Sequence, residues 1–171
     1  MFENRVIPTL EKNRNHLLFQ LKNGVLFFDI KPFSGVVKDF YSDGNIKSNS
    51  QYYLGKRQGT YFGWYQNKQK WFERFYRNGL KTKIHKGWHK NGRRMFEYHF
   101  NSSGLYNGRV KDWYANGILA KSFNFMKGKE AGSQKMWDLE GKIRANFYTV
   151  ANERHGLIGL KKCVSVLHDK N

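Results

Sequence analysis

The stretch GRVKDWYANGILAKSFNFMKGKEA, from Gly108 to Ala131, decides the fold because it is one copy of a repeat. It opens on glycine, carries the pair Trp113-Tyr114, and has turn-forming pairs at Asn116-Gly117 and Lys127-Gly128. Aligning the sequence with itself places equivalent residues every 24 or 25 positions. The opening residues of repeats 1 to 5, and of an incomplete sixth, are Gly35, Gly59, Lys83, Gly108, Gly132 and Gly156. We number each repeat from this opening residue, which is position 0.

Three further columns of the alignment keep their chemical type. Position 5 is aromatic in every full repeat: Phe40, Trp64, Trp88, Trp113 and Trp137. Position 6 holds Tyr41, Tyr65, His89, Tyr114 and Asp138. Position 17 is aromatic except in the last repeat: Tyr52, Tyr76, Phe100, Phe125 and then Thr149. These columns and the opening glycines are predicted to be structural residues of the repeat.

Each repeat is predicted to be a β-hairpin, because its two turn signals leave room for two strands and it has no apolar stripe of helical period. One hairpin is marginal in water, but stacked hairpins bury their faces on one another. We therefore predict an all-β, elongated antiparallel sheet of repeated β-hairpins over residues 24–160, with about 24 residues per repeat. Residues 1–23 are predicted to be an N-terminal cap or flexible segment, and residues 161–171 a strand end with a polar tail.

The first turn of each repeat sets the strand register. A two-residue loop pairs position 7 with 10, whereas a three-residue loop ending in a left-handed glycine pairs 6 with 10 and 5 with 11. We expect the three-residue loop, because positions 1, 3, 5, 11, 13, 15 and 17 then share one face and gather the aromatic columns. The rings at position 5 are then expected opposite Ile46, Lys70, Arg94, Leu119 and Ile143.

The chain is strongly basic, with 31 Lys and Arg against 13 Asp and Glu and a net charge of +18. Such a field attracts anionic partners: an acidic protein, an acidic lipid surface or nucleic acid. No apolar run is long enough for a signal peptide or a transmembrane segment. A cytoplasmic location is expected, with peripheral membrane association as an alternative and a removed leader left open.

No group of residues has the arrangement of an active site. The carboxylates are scattered, and His85 and His89, four residues apart on a predicted strand, lie about 13 Å apart, too far for one metal ion. The single cysteine, Cys163, excludes an intrachain disulfide and is expected to be a small buried hydrophobe. We predict no enzyme, no catalytic residue, no metal and no cofactor.

Cations follow the repeat. Position 3 holds Lys38, Lys86, Lys111 and Lys135, with Phe62 in repeat 2. Further candidates for partner binding are Arg74, Arg77, Lys90, Arg93, Arg94, Tyr65 and Tyr114. Three interpretations stay open: a solvated surface, a grip on an acidic protein, and a surface for the phosphates of a membrane or nucleic acid.

Repeats of the form G-x-x-x-x-W-Y-x-N-G, closing near a second glycine, resemble the MORN repeat. They resemble more closely the variant found in the YwqK-type antitoxin family of bacteria, over about residues 24–160. The departures are Asn67-Lys68 at the first turn, Lys83 at position 0, and His89 and Asp138 at position 6.

The resemblance implies a twisted antiparallel sheet with a non-enzymatic binding role. For MORN proteins at large, that role is scaffolding or membrane-peripheral; for the YwqK-type members it is neutralisation of a partner toxin. The expected function is therefore protein binding, as an antitoxin or scaffold. The alternative is binding of an acidic phospholipid membrane, or of nucleic acid, which is less favoured.

Overall fold

The computed structural model describes residues 6–159, which form fifteen strands and no helix. The N-terminal strands are β1 (Glu11–Asn13), β2 (Phe19–Lys22), β3 (Val25–Phe28) and β4 (Lys31–Pro32). The strands of the repeats are β5 (Gly35–Phe40), β6 (Ile46–Tyr53), β7 (Lys56–Trp64), β8 (Lys70–Arg77), β9 (Leu80–Trp88), β10 (Arg94–Phe100), β11 (Tyr106–Trp113), β12 (Leu119–Met126), β13 (Lys129–Trp137), β14 (Ile143–Val150) and β15 (Glu153–Leu157).

Strands β5 to β15 follow one another in a single open sheet, each antiparallel to the next. Strand β1 completes the twelve-stranded sheet by pairing parallel to β5. The predicted all-β array of consecutive hairpins is thereby confirmed. The predicted C-terminal segment 161–171, with Cys163, lies outside the described residues.

The first turn of each repeat is the predicted three-residue loop. In repeat 1 the Tyr41 amide donates to Asn45 O at 2.9 Å, and the Gly44 amide donates to Tyr41 O at 3.0 Å, with Gly44 at φ 81°. The register then pairs position 5 with position 11 in all five repeats, as predicted. The pairs are Phe40 with Ile46, Trp64 with Lys70, Trp88 with Arg94, Trp113 with Leu119 and Trp137 with Ile143.

A β-bulge directly after this pair overturns the predicted face. Trp64 pairs with Lys70, but the preceding Gly63 pairs with Phe72, so Trp71 is the extra residue on the return strand. The extra residue reverses the alternation beyond it, because side chains along a strand point to opposite faces in turn. The prediction that positions 5, 13, 15 and 17 share a face is therefore wrong. The prediction assumed that side chains alternate along each strand without interruption, so it could not detect an inserted residue.

The bulge divides the side chains between two faces. The core face carries positions 2, 13, 15 and 17, and it holds every buried side chain of strands β5–β14. These are Val37, Ser50, Tyr52, Phe72, His85, Phe96, Val110, Gln134, Ala145, Phe147 and Thr149. The tryptophan face carries positions 3, 5, 11 and 14, including Trp64, Trp88, Trp113 and Trp137.

Two glycines on the core face lie directly beneath aromatic rings. A Cβ added to Gly63 would stand 2.3 Å from the Phe72 ring, and one added to Gly87 would stand 2.1 Å from the Phe96 ring. Each ring therefore packs flat over its glycine on the facing strand. This packing is one reason that the rings are buried although the sheet has a single layer over most of its length.

Strands β2, β3 and β4 form a separate small sheet that caps repeat 1. Strands β2, β3 and β4 pair in that order, and the hairpin turn of repeat 1 meets them through a 2.8 Å hydrogen bond from the Leu26 amide to Gly55 O. Leu26 and Phe33 pack with Val37 and Tyr52 in a buried apolar cluster. The cap hides the core face at the end where the array begins.

The second turn of repeat 3 accounts for its length of 25 residues, one more than the other repeats. Leu54-Gly55 is a two-residue turn with both residues at positive φ, 47° and 74°, and Asn78-Gly79 is similar. Repeat 3 instead uses a three-residue loop in which the Asn101 amide donates to Leu105 O at 3.0 Å. That loop contributes the additional residue before Gly108.

Lys68 offers a test of the first-turn geometry. It has φ 65°, whereas the equivalent residues of the other repeats are glycines at similar φ. We expect Lys68→Gly to raise the free energy of unfolding by about 0.5–1 kcal/mol, because it removes left-handed strain. Urea unfolding checks this, and Lys56→Gly on strand β7 is the control that should lower it. Destabilisation by both variants would contradict the assigned turn.

Candidate binding surfaces

Position 6 couples each repeat to the next. The hydroxyls of Tyr41, Tyr65 and Tyr114 donate to the main-chain oxygens of Trp64, Trp88 and Trp137 at 2.9, 2.8 and 2.9 Å. His89, which replaces tyrosine, makes the same contact to Trp113 O at 2.8 Å. Burial raises the pKa of Tyr65. The hydroxyls of the two candidates Tyr65 and Tyr114 are thus engaged within the chain.

Position 3 forms one row across the tryptophan face, because its residues and those of position 14 are consecutive cross-strand partners. We call this set of residues the lysine row. Its members, in order, are Lys38, Asn49, Phe62, Glu73, Lys86, Glu97, Lys111, Ser122, Lys135 and Asn146. The four candidate lysines therefore lie on one line, and Glu73 and Glu97 flank Lys86.

The amines of the lysine row differ in their partners. Lys38 Nζ lies 2.6 Å from Glu11 Oε2. Glu73 and Glu97 contact Lys70 and His99 at 3.5 and 3.2 Å. Among residues 6–159, no carboxylate forms an ion pair with Lys86, Lys111 or Lys135. Three amines on half-buried stems are thus available to an anionic ligand.

Cations also cover the tryptophan rings. Lys70 Nζ lies 5.2 Å from the ring centroid of Trp88, and the Arg94 guanidinium lies 4.8 Å from the same ring. Lys111 Nζ lies 6.0 Å from the ring centroid of Trp113. Such contacts hold a cation in place and cover apolar ring surface with its stem. The tryptophans serve here as supports for charge.

The core face carries cations of two kinds. Three ion pairs tie a cation to a carboxylate: Lys47 with Asp39 at 3.6 Å, Lys121 with Asp112 at 2.6 Å, and Arg154 with Glu130 at 2.8 Å. Asp112 also accepts the Tyr98 hydroxyl at 2.5 Å. Burial and this bond raise the pKa of Tyr98.

Two arginines of the core face lie over aromatic rings and form no ion pair within residues 6–159. The Arg57 guanidinium lies 5.0, 5.6 and 5.7 Å from the ring centroids of Tyr61, Tyr76 and Tyr52. The Arg74 guanidinium lies 4.5 Å from the Phe72 ring centroid. The candidate Arg74 is thus on the face opposite the lysine row. Sequence reasoning missed Arg57, which stands two residues before an opening glycine, outside the columns compared.

The remaining candidates lie at the edges of the sheet. Lys90 and Arg93 belong to the first turn of repeat 3, where the Arg93 guanidinium donates to Asn116 O of the next repeat. Arg77 ends strand β8 next to a second turn, and Arg94 is the cation over Trp88. The structure therefore brings the candidates Lys38, Lys86, Lys111, Lys135 and Arg94 together on the tryptophan face, whereas Arg74 lies on the core face.

Buried polar side chains complete the main-chain hydrogen bonding where the register shifts between neighbouring repeats. The register of β8 and β9 shifts next to Phe75, and His85 Nε2 fills the gap, 2.8 Å from Phe75 O and 3.1 Å from Phe75 N. Gln134, also at position 2, does the same: it accepts from the Asn124 amide at 3.0 Å and donates to Asn124 O at 2.9 Å. Burial lowers the pKa of His85 from 6.5 to about 4.

No protein-family model and no curated protein matches this chain. In the described part of the chain, no three His, Cys, Asp or Glu side chains form a group that could hold a metal ion. A search of the same residues finds no helix long and apolar enough to cross a membrane. The MORN and YwqK-type resemblance stays a prediction.

The His85 contact predicts a specific pH dependence. Between pH 6.5 and 4, an unfolded chain binds a proton at His85 that the folded chain does not, so stability falls as the pH falls through this window. We expect the amide of His85→Gln to accept from Phe75 N and donate to Phe75 O, as Gln134 does with Asn124, and the substitution to remove up to about 3 kcal/mol of that dependence.

Urea unfolding of both proteins at pH 7.5 and at pH 4.5 measures the difference. The control variant His155→Gln removes a histidine from the exposed strand β15 and should keep the wild-type dependence. If the His85→Gln protein loses as much stability on acidification as the wild type, His85 is not held in its neutral form by burial.

Proposed function

We propose that this chain is a non-enzymatic binding module whose tryptophan face holds an acidic protein partner. The observation that carries the proposal is the row of three amines, Lys86, Lys111 and Lys135, that have no carboxylate partner among the described residues. The net charge of +18 attracts an acidic partner to the surface, and the ordered cations fix how that partner aligns with the lysine row.

The pattern of charge favours a protein over a membrane or nucleic acid. Glu73 and Glu97 flank Lys86 in the middle of the row and would repel a continuous layer of phosphates. A protein can place acidic side chains opposite the lysines and neutral or basic ones opposite the glutamates. Cations packed over Trp88 also lose less side-chain freedom when they bind.

The resemblance to YwqK-type antitoxins suggests which protein this is. On that basis the partner is a cognate toxin with an acidic surface, and the chain neutralises it by covering that surface. A scaffold protein is the second form of the same proposal. Both need only a rigid sheet that presents charge at fixed spacing, which the repeat supplies.

Binding to an acidic phospholipid membrane is a second candidate function. It is favoured by the far end of the row, where Lys135 lies between the neutral Ser122 and Asn146. Electrostatic binding to phosphates weakens steeply with salt, whereas a packed protein interface is less sensitive. Salt therefore separates the two candidates.

Two triple variants test the proposal. The row variant carries Lys86→Gln, Lys111→Gln and Lys135→Gln. The control removes the same charge from exposed lysines elsewhere, through Lys56→Gln, Lys129→Gln and Lys142→Gln. Each tagged protein is incubated with an extract of its source cells at low and at high salt, and the retained protein, lipid and nucleic acid are measured.

We expect the wild type and the control to retain one acidic protein at both salt concentrations. The row variant should retain roughly tenfold less, because it lacks the ordered cations. Equal retention by all three proteins would contradict the proposal. Retention only of phospholipid or nucleic acid, released by high salt, would also contradict it and favour the second candidate.

A further inference from the structure

A cavity of about 120 Å³ lies where the cap meets the long sheet. It is lined by Arg14, Leu21, Leu26, Tyr52 and Arg57, and by the turn glycines Gly24 and Gly79. Its lining contains two guanidinium groups and no carboxylate. A second cavity of about 200 Å³ shares Arg14, Leu21 and Leu26 with it.

Arg57 is fixed in this cavity with an unused donor. Its guanidinium is surrounded by the rings of Tyr52, Tyr61 and Tyr76, and its Nε atom is buried without a hydrogen-bond partner. A buried donor on a charged group is costly to leave unsatisfied. Among residues 6–159, no carboxylate pairs with Arg57. An anion held in the cavity by the Arg57 side chain would offset part of the cost of this poorly solvated charge.

Arg14 supplies the second positive charge. Its main-chain amide donates to Lys38 O at 2.7 Å, which fixes the chain just after strand β1, while the side chain is exposed to solvent. No described carboxylate pairs with it. A half-buried arginine and an exposed one thus line the same small space, a combination suited to binding an anion that arrives from solvent.

We propose that this cavity binds one carboxylate group, carried on a short apolar stem such as an aspartate or glutamate side chain. The inference rests on the proposed function, because the partner would supply that side chain. A guanidinium group binds a planar carboxylate through two parallel hydrogen bonds. Leu21, Leu26 and Tyr52 line the cavity with apolar surface that the methylene groups of the stem can contact. A phosphate dianion has no such stem and loses more hydration in an apolar cavity.

Propionate tests the site without any partner. The full chain, labelled with nitrogen-15, is titrated with sodium propionate and with inorganic phosphate at constant ionic strength, and the Arg57 Nε–H signal is followed by NMR. We expect a saturable shift with propionate, with a dissociation constant on the order of millimolar, as suits so small a ligand.

Three variants make the result specific. Arg14→Gln changes an exposed residue and should weaken propionate binding roughly tenfold while leaving the amide spectrum otherwise intact. Arg57→Lys keeps the charge but loses the planar fork, and should weaken binding, as read from the Gly24 and Gly79 amides. Lys31→Gln removes a cation from the cap outside the cavity and should not affect binding.

The proposal is overturned if the Arg57 signal shows no saturable shift, if phosphate binds more tightly than propionate, or if Arg14→Gln binds as the wild type does. Because no partner is present, these outcomes are separate from those of the extract experiment. A chain that retains an acidic protein but ignores propionate would keep the proposed function and lose this site.

Discussion

One extra residue on the return strand of each hairpin determines which side chains this sheet buries. The three-residue turn sets position 5 opposite position 11, and the bulge at position 12 then moves positions 13, 15 and 17 to the other face. The rings of Phe72 and Phe96 thereby reach the glycines beneath them, and the tryptophans are left on the opposite surface. Without the bulge, both sets of rings would compete for one face of the sheet.

The repeats adhere through main-chain contacts as much as through apolar burial. In repeats 1 to 4 the position 6 side chain bonds to the carbonyl of the next tryptophan, and His85 or Gln134 completes the ladder where its register shifts. These bonds cross from one repeat to its neighbour only, which is the energetic pattern of a one-dimensional array. Such an array keeps its spacing over a long distance. A regular row of cations on its open face is consequently a well-defined template for a partner.

The sequence predicts the repeat, the turns and the register at position 5, because these depend on local conformation. Asn-Gly and Asp-Gly pairs specify left-handed residues, and the five pairs of position 5 with position 11 follow directly. The faces could not be predicted, since the bulge leaves no mark on residue type at position 12: Lys47, Trp71, Met95, Ala120 and Arg144 have nothing in common. The role of His85 and Gln134 was missed for a similar reason, because position 2 holds histidine, glutamine or an apolar residue. The cavity and Arg57 depend on how the cap docks, which no periodicity reports.

The central claim, that the repeat fixes register one unit at a time, is tested most directly by removing a unit. Deletion of residues 108–131 takes out one complete repeat and lets His89 bond to the carbonyl of Trp137 in place of Trp113. Deletion of residues 108–130 removes one residue fewer and turns every following side chain to the wrong face. We predict that the first protein unfolds cooperatively on heating, and that the second shows no cooperative transition for the strands that follow. Equal cooperativity in both proteins, or its loss in the first, would contradict the account.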